Sequence, residues 1–282
     1  MKILVRLPNW LGDMVMASGL INALPHFFGD AEVSVIVKKG IHELASNLPG
    51  IKNIFVFDKE KYKGLGGAWS FGSSIKQKEK FDLFICLPNS FSSAVMAKAT
   101  GAKKRVGYKK EGRNFLLTDA YQKEEGQHRV EEYFSLVENF TGKKIASKNV
   151  CLQHHFSKKD YVVVNINSEA ESRRLTVEKA VDIIRYLSTI ISLPIKLIGA
   201  PKEKEFVDKV YHNLPHHTNI QNIAGATTIP QLIETLASAR IVLSTDSGPA
   251  HLANALGTQT VVLFGAGNEA NTGPYNKEKR KI

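Results

Sequence analysis

An aspartate stands where the first predicted strand gives way to the first predicted helix. The segment R-L-P-N-W-L-G-D-M covers residues 6–14, and Asp13 follows Gly12 directly. In an open parallel sheet, ligands bind beyond the carboxyl ends of the strands, so a carboxylate there can accept a proton from a substrate hydroxyl. Glycine lets a ligand approach the backbone closely. The alternative is that Asp13 only stabilises the helix amino terminus, whose dipole favours negative charge.

A second turn from strand to helix has the sequence D-S-G-P-A-H at residues 246–251. Free amide N–H groups at Ser247 and Gly248, together with the helix dipole, predict an anion site. His251 falls in the first helical turn and can donate to a phosphate oxygen. The alternative is a simple capping role for Asp246 and a structural role for the histidine.

Two further turns carry charged side chains. The segment 165–174 leaves a predicted strand, contains Ser168, and ends in the adjacent pair Arg173 and Arg174. Two guanidinium groups can clamp a diphosphate bidentately, although a solvated basic loop is the alternative. Glu203 follows a glycine turn at residue 199 and can accept from ribose hydroxyls, or it can simply stabilise a helix terminus.

Several common motifs are missing from the sequence. It contains no D-x-D pair, and no histidine and cysteine cluster has metal-ligand spacing. The absence of G-x-G-x-x-G argues against a nucleotide-dependent oxidoreductase built on two Rossmann-like domains. The G-x-S-x-G and P-loop motifs are absent as well.

Short, continuous apolar runs alternate with helical patterns along the chain, which is typical of parallel strands covered on both faces. This alternation predicts an α/β protein with two doubly wound, Rossmann-like halves. Residues 141–159 form the predicted linker, and 59–72, rich in glycine and lysine, a mobile loop. The predicted domains are 1–155 and 156–282. The predicted strands are 2–7, 32–37, 53–57, 82–87, 161–166, 195–198, 219–223, 241–244 and 260–264, and the helices between them include 13–28, 41–48, 73–79, 91–100, 176–190, 203–214 and 249–256.

The composition describes a globular protein with an excess of positive charge. The 282 residues are 43% hydrophobic and 23% charged, and the net charge is +11. The charge predicts an anionic partner: nucleic acid, an acidic membrane surface or a phosphorylated substrate. The alternative is a charge that only keeps the protein soluble. The two cysteines define no disulfide framework, which favours a reducing cytoplasm. No apolar run approaches the length of a membrane-spanning helix.

The motifs together resemble the family 9 glycosyltransferases, the ADP-heptose:lipopolysaccharide heptosyltransferases. The pattern is nearest to the heptosyltransferase II branch, which R-V-G-Y at 105–108 also resembles. The segments that carry the resemblance are N-W-L-G-D-M at 9–14, L-P-N-S-F-S-S-A at 87–94, the arginine pair at 173–174, and D-S-G-P-A-H-L-A at 246–253.

The resemblance implies a GT-B fold, in which two Rossmann-like domains face each other across a cleft. It places the acceptor on the first domain and the donor on the second. The implied reaction inverts the anomeric centre and needs no metal or other cofactor. The implied residues are Asp13 as catalytic base; Ser168, Arg173, Arg174, Glu203, Asp246, Ser247, Gly248 and His251 on the donor side; and Asn9, Gly12, Asn89 and Ser90 on the acceptor side.

The resemblance also implies partners and a location. We expect an ADP-sugar donor, a phosphorylated lipopolysaccharide core acceptor, no nucleic acid, and a cytoplasmic protein in peripheral contact with the inner membrane. The family usually has Trp-Pro after the basic residue, where this chain has Leu175 and Thr176. It also usually continues beyond residue 282 with helices that pack on the first domain. We therefore expect this chain to bind ADP but to transfer sugar slowly.

Two alternatives remain open from the sequence. The first is a family 9 transferase with another sugar-nucleotide donor or acceptor, because fold and site do not determine the sugar. The second is a non-enzymatic nucleic-acid-binding protein, which the charge favours although no nucleic-acid module is visible.

Overall fold

The computed structural model describes residues 1–110, 112–146, 148–215 and 219–281. Contacts between Cα atoms divide the chain into two compact units, Met1–Leu152 and Gln153–Ile282. The sequence placed the boundary at residue 155, within the few residues that follow the first unit. Within the described ranges, no helix is both long enough and apolar enough to cross a membrane.

The first unit is a six-stranded parallel sheet in the order β3-β2-β1-β4-β5-β6. The order reverses beside β1, so the carboxyl ends of β1 and β4 form the position where open α/β sheets bind ligands. The strands are β1 (Lys2–Arg6), β2 (Glu32–Lys38), β3 (Ile51–Phe57), β4 (Leu83–Cys86), β5 (Lys104–Tyr108) and β6 (Asp119–Tyr121), and the helices are α1 (Leu11–Phe28), α2 (Gly64–Lys78), α3 (Phe91–Ala99) and α4 (Arg129–Thr141).

The second unit repeats this topology, with the order β12-β11-β10-β7-β8-β9. Here the order reverses beside β7, so the carboxyl ends of β7 and β10 form the equivalent position. The strands are β7 (Val162–Asn165), β8 (Ile195–Leu197), β9 (Ile220–Asn222), β10 (Ile241–Thr245), β11 (Gln259–Leu263) and β12 (Arg280–Lys281), and the helices are α5 (Val177–Ile190), α6 (Lys204–His212), α7 (Ile229–Ser238), α8 (Gly248–Ala255) and α9 (Glu269–Thr272).

The central strands are buried on both faces, as their continuous apolar sequences predict. Ile3, Leu4 and Val5 of β1 have no exposed surface, and Val163 and Val164 of β7 are equally buried. Every strand pairing in both sheets is parallel. The prediction of two doubly wound α/β units is confirmed.

The prediction of a mobile loop at residues 59–72 is wrong, because α2 begins at Gly64. The glycines lower helix propensity, but tertiary packing overrides it. Ala68 and Phe71 join the hydrophobic core, and the ring of Tyr62 lies 5.0 Å from that of Phe71. A Cβ atom on Gly67 would overlap the main chain of Tyr62, so only glycine allows this close approach.

Other differences concern short or unassigned elements. The predicted helix at 41–48 is a short 3₁₀ helix, His42–Asn47. Strands β5 and β6 and helix α4 were not predicted, although α4 supplies a residue beside Asp13. In α4, Val130, Phe134 and Val137 are buried at helical spacing.

Candidate active site

The turn after β10 forms the centre of the candidate site in the second unit. Ser247 is the amino-terminal cap of α8, with an extended backbone and no capping bond from its own side chain. Its hydroxyl instead accepts from Nδ2 of Asn165 at 2.8 Å and donates to the main-chain oxygen of Thr245 at 3.2 Å. Gly248 is the first residue of the eight-residue helix. The first N–H groups of a helix have no partner within it, so they can bind an anion.

Asp246 does not cap this helix. Its side chain is 1% exposed, and Oδ2 lies 3.1 Å from Nη1 of Arg173. Burial raises the pKa of the Asp246 carboxyl, and the charge of Arg173 acts in the opposite direction. A Cβ atom on Gly267 would lie 2.5 Å from Oδ2, so the loop after β11 needs glycine where it passes the carboxylate. The simple capping interpretation of Asp246 is therefore wrong for this structure.

Buried polar side chains join the turns at the carboxyl ends of β7, β8 and β10. Nδ2 of Asn167 donates to the main-chain oxygen of Ile198 at 2.8 Å, and Thr245 Oγ1 donates to the main-chain oxygen of Asn167. The hydroxyl of Ser168 donates to the main-chain oxygen of Asp246 at 3.4 Å. These hydrogen bonds tie the turns to one another and favour one geometry, although among the described residues the buried Oδ1 of Asn167 has no hydrogen-bond partner.

The remaining predicted donor-side residues occupy less central positions. Arg174 donates to the main-chain oxygen of Ser168 at 3.2 Å, and its guanidinium lies 5.4 Å from the ring centre of Phe206. The carboxylate of Glu203 accepts from the amide of Ala200 at 2.7 Å, which is the helix-terminal role. His251 lies on α8 and is 6% exposed. Arg173 is therefore the arginine that lies directly against the β10–α8 turn.

In the first unit, Asp13 lies in the first turn of α1, and 27% of its side chain is exposed. The Nε atom of Arg129, the first residue of α4, lies 3.8 Å from Oδ1 of Asp13. Arg129 also donates to Glu132 at 2.7 Å. Burial raises the pKa of Tyr133 well above its usual range, and the charge of Asp13 adds to this. A neighbouring guanidinium favours the ionised, proton-accepting form of a carboxylate.

Two buried arginines hold the loops on the predicted acceptor side. Arg6 donates to the main-chain oxygen of Ile36 at 3.2 Å and to the side chain of Asn9, and burial lowers its pKa to about 10. Arg113 donates to the main-chain oxygens of Pro88 at 2.8 Å and Ser90 at 3.2 Å. Both guanidinium groups thus fix the course of the backbone where β1 and β4 end.

Asn89, Ser90 and Gly12 complete the predicted acceptor side. Ser90 caps α3 by accepting from the amide of Ser93 at 3.3 Å. Among the described residues, Oδ1 of the partly buried Asn89 has no hydrogen-bond partner. Gly12 is helical and partly exposed. The carboxyl ends of β1 and β4 bring these residues and Asp13 to one edge of the first sheet.

Three residues of the candidate site were not predicted from the sequence: Arg113, Arg129 and Gly267. Arg129 and Asp13 are far apart in the sequence, and α4 was not predicted. Gly267 belongs to the segment F-G-A-G-N at 264–268, directly after a predicted strand, which is a recognisable turn signal. In the described ranges, no group of three or more histidine, cysteine or acidic side chains is placed to hold a metal ion.

Comparison with known proteins agrees with this architecture. The chain is 26% identical to lipooligosaccharide heptosyltransferase 2 of Campylobacter jejuni, over 100% of this chain and 86% of the relative. It is 25% identical to lipopolysaccharide heptosyltransferase 2 of Escherichia coli, over 100% and 88%. The solved structure of E. coli ADP-heptose lps heptosyltransferase II superimposes with a TM-score of 0.87 at 24% identity, covering 100% of this chain and 89% of that one.

Two parallel-sheet, Rossmann-like units, each with polar turns at the carboxyl ends of its central strands, have the GT-B fold. Residues 68–282 match the family described as glycosyltransferase family 9 (heptosyltransferase). The chain belongs to this family. Membership of this family supports a transferase and argues against the second alternative left by the sequence, a non-enzymatic nucleic-acid-binding protein.

Proposed function

We propose that the protein transfers heptose from ADP-heptose to the inner core of lipopolysaccharide, with inversion at the anomeric carbon. The observation that carries the proposal is the β10–α8 turn, where α8 begins directly after Asp246 and Arg173 lies against the buried Asp246 carboxylate. Such a turn suits the diphosphate of a nucleotide sugar. The names of the relatives support heptose as the sugar and lipopolysaccharide as the acceptor.

On the donor side, Arg173 is the proposed phosphate ligand. Its side chain is 39% exposed beside Asp246, and an arginine has five N–H donors, so donors remain for phosphate oxygens. Asp246 holds the guanidinium in place and offsets part of its charge. The N–H groups of Ser247 and Gly248 bind the same diphosphate, and we propose that no metal ion is required.

On the acceptor side, Asp13 is the proposed general base. An acceptor hydroxyl attacks the anomeric carbon, its proton passes to the Asp13 carboxylate, and the bond to the ADP oxygen breaks. The negative charge that develops on ADP is stabilised by Arg173 and the α8 N–H groups. Arg129 keeps Asp13 ionised before the proton is transferred, and the loops at Asn9 and Asn89 bind the acceptor.

The acceptor is a lipid, so we also propose that the protein works at the cytoplasmic face of the inner membrane. The net charge of +11 favours binding to anionic headgroups and to the phosphates of the core. We propose that this positive charge serves to bind the lipid surface and the acceptor phosphates, and that the protein has no nucleic-acid partner.

Titration calorimetry with ADP, UDP and GDP tests the donor, and a transfer assay with ADP-heptose and a delipidated core acceptor tests the reaction. We expect ADP to bind at least about tenfold more tightly than the other two, since contacts to the base add to those with the phosphates. Equal affinities would contradict an ADP-sugar donor. If the protein binds ADP normally but transfers heptose to none of the core acceptors, another sugar or another acceptor would be favoured.

A further inference from the structure

The first turns of α2 present two large apolar side chains to solvent. Leu65 and Trp69 each have 50% of their surface exposed. They are four residues apart, so they lie on the same face of the helix. The side chains that follow, Phe71 and Ile75, pack into the core. Exposed apolar side chains that are grouped together mark an interaction surface more often than single ones do.

Three exposed lysines, Lys59, Lys61 and Lys63, precede this helix. The amino terminus of a helix favours negative charge, yet α2 has no acidic residue in its first turn. Lys63, which directly precedes the helix, is therefore placed where the helix itself opposes a positive charge, and Glu60 offsets only one of the three lysines. An anionic surface outside the protein would compensate their charge. We refer to these lysines with Leu65 and Trp69 as the α2 patch.

The backbone that carries the α2 patch is well defined. The amide of Tyr62 donates to the main-chain oxygen of Asp58 at 2.9 Å. The Tyr62 ring stacks on Phe57 with their centres 6.1 Å apart, and Gly67 packs against the Tyr62 main chain. The lysines and the apolar pair consequently occupy a fixed surface, and docking requires little ordering of the chain.

The α2 patch adjoins the edge of the sheet that holds the proposed acceptor side. The strand β3 ends at Phe57, opposite Lys38 of β2. The ammonium of Lys38 lies 5.6 Å from the ring centre of Trp10, which is 56% exposed and precedes α1. Basic and aromatic side chains thus continue from α2 towards the loop of Asp13.

We propose that the α2 patch docks on a lipid bilayer with anionic headgroups. The lysines bind headgroup phosphates, while Leu65 and Trp69 enter the interface between headgroups and acyl chains. A phosphorylated saccharide would satisfy the lysines but leave Leu65 uncovered, so the observed combination favours the bilayer. The inference rests on the proposed function in one respect, the lipid nature of the acceptor. It adds which surface of the protein contacts the bilayer that contains this acceptor.

Co-sedimentation with vesicles tests the charged part of the α2 patch. We compare phosphatidylcholine vesicles with vesicles containing about one third phosphatidylglycerol, the anionic component that attracts basic residues. The triple variant K59Q/K61Q/K63Q should bind the anionic vesicles more weakly, by about fivefold for each lysine removed. The matched control K76Q/K78Q/K80Q changes the same charge at the other end of α2 and should bind like the parent.

A second pair of variants tests the apolar part. L65S/W69S should weaken binding to anionic vesicles by about tenfold or more, because less apolar surface enters the interface. The control Y186S/I190S removes an equally spaced aromatic and aliphatic pair on α5, with 64% and 59% of their surfaces exposed. It should bind like the parent. Since all four side chains are at least half exposed, the variants should unfold at the parental temperature.

The outcomes distinguish a bilayer from the other occupants. Turnover on a delipidated acceptor should stay within about twofold of the parent for the α2 patch variants, since the bilayer takes no part in that assay. Lower turnover there, with unchanged vesicle binding, would assign the lysines to the saccharide and overturn the inference. Failure of the parent protein to bind anionic vesicles more tightly than phosphatidylcholine vesicles would also overturn it. Neither result depends on ADP binding, so the proposed function is judged separately.

Discussion

The Nη1 atom of Arg173 lies 3.1 Å from Oδ2 of Asp246, and the carboxylate is almost completely buried. This pair joins the loop that follows β7 to the turn that follows β10. The guanidinium is 39% exposed, so it can still meet a ligand from solvent. The buried partner therefore orients the exposed one.

Arg173→Ala should weaken ADP binding by about 1.5–3 kcal/mol, the value of a hydrogen bond to a charged group. Arg174→Ala should have a smaller effect, because its guanidinium packs on Phe206 and binds the Ser168 main chain. Titration calorimetry measures both. Arg185→Ala, an exposed arginine on α5, is the control. A larger loss for Arg174 than for Arg173 would reverse the assignment.

Gly267→Ala should reduce ADP affinity by about tenfold, because the new Cβ atom would lie 2.5 Å from Oδ2 of Asp246 and displace the carboxylate with Arg173. Gly265→Ala provides a matched control on the same loop, since its Cβ atom would approach nothing closer than Ser172 O at 3.8 Å. ADP calorimetry on the two variants makes the comparison. Equal affinities would show that the position of Asp246 does not influence the donor.

Asp246→Asn should alter how stability depends on pH. Burial raises the pKa of Asp246 in the folded chain, so folding favours its protonated form. The stability contributed by that form is complete below about pH 4, the unfolded pKa, and is lost as pH rises through the folded pKa. The parent should therefore lose free energy of unfolding relative to the variant as pH rises from about 4 through the folded pKa. Urea titrations measure the difference, and a difference independent of pH would contradict the argument.

Asp13→Asn should lower kcat by at least about 100-fold while ADP affinity stays unchanged, since an amide cannot accept the proton. Steady-state kinetics with ADP-heptose and a core acceptor measures kcat, and calorimetry measures ADP binding. Asp30→Asn, an exposed aspartate of the same unit, is the control. A kcat within a factor of about two of the parent would remove Asp13 from the mechanism.

Arg129→Gln should shift the acid limb of the pH–kcat profile to higher pH. Loss of the cation near Oδ1 makes the charged Asp13 carboxylate less favourable, so it takes up a proton at higher pH. Arg129→Lys retains a positive charge and should keep the limb near its parental position. Rates that fall equally at all pH values in Arg129→Gln would indicate a purely structural role.

Local sequence patterns predicted most of the fold. Strand–turn–helix junctions at Asp13 and Asp246 were recognisable because apolar runs, small residues and helical spacing follow one another there. The first turns of α2 were missed because their glycines suggest a loop, although the later part of the helix was predicted, at residues 73–79. The packing of Ala68 and Phe71 that stabilises these turns depends on distant residues.

The candidate site was less predictable than the fold. Sequence identified Arg173 and Asp246 separately, but their ion pair depends on how two loops meet. The same holds for Arg129, which reaches Asp13 from a helix at the far end of the unit. The position of Gly267 beside a buried carboxylate required the three-dimensional structure. The sequence alone was enough to identify candidate residues one by one. It was not enough to predict which residues from distant segments contact each other.

The bonds of Arg113 bear on how acceptor preference evolves. Its guanidinium donates to the main-chain oxygens of Pro88 and Ser90, and every residue type offers such an oxygen. Substitution of Asn89 therefore leaves both anchoring oxygens in place, whereas Ser90 also caps α3 through its hydroxyl. A new side chain can therefore enter this edge of the sheet at residue 89 without a new backbone, so acceptor preference can change there through a single, structurally inexpensive mutation.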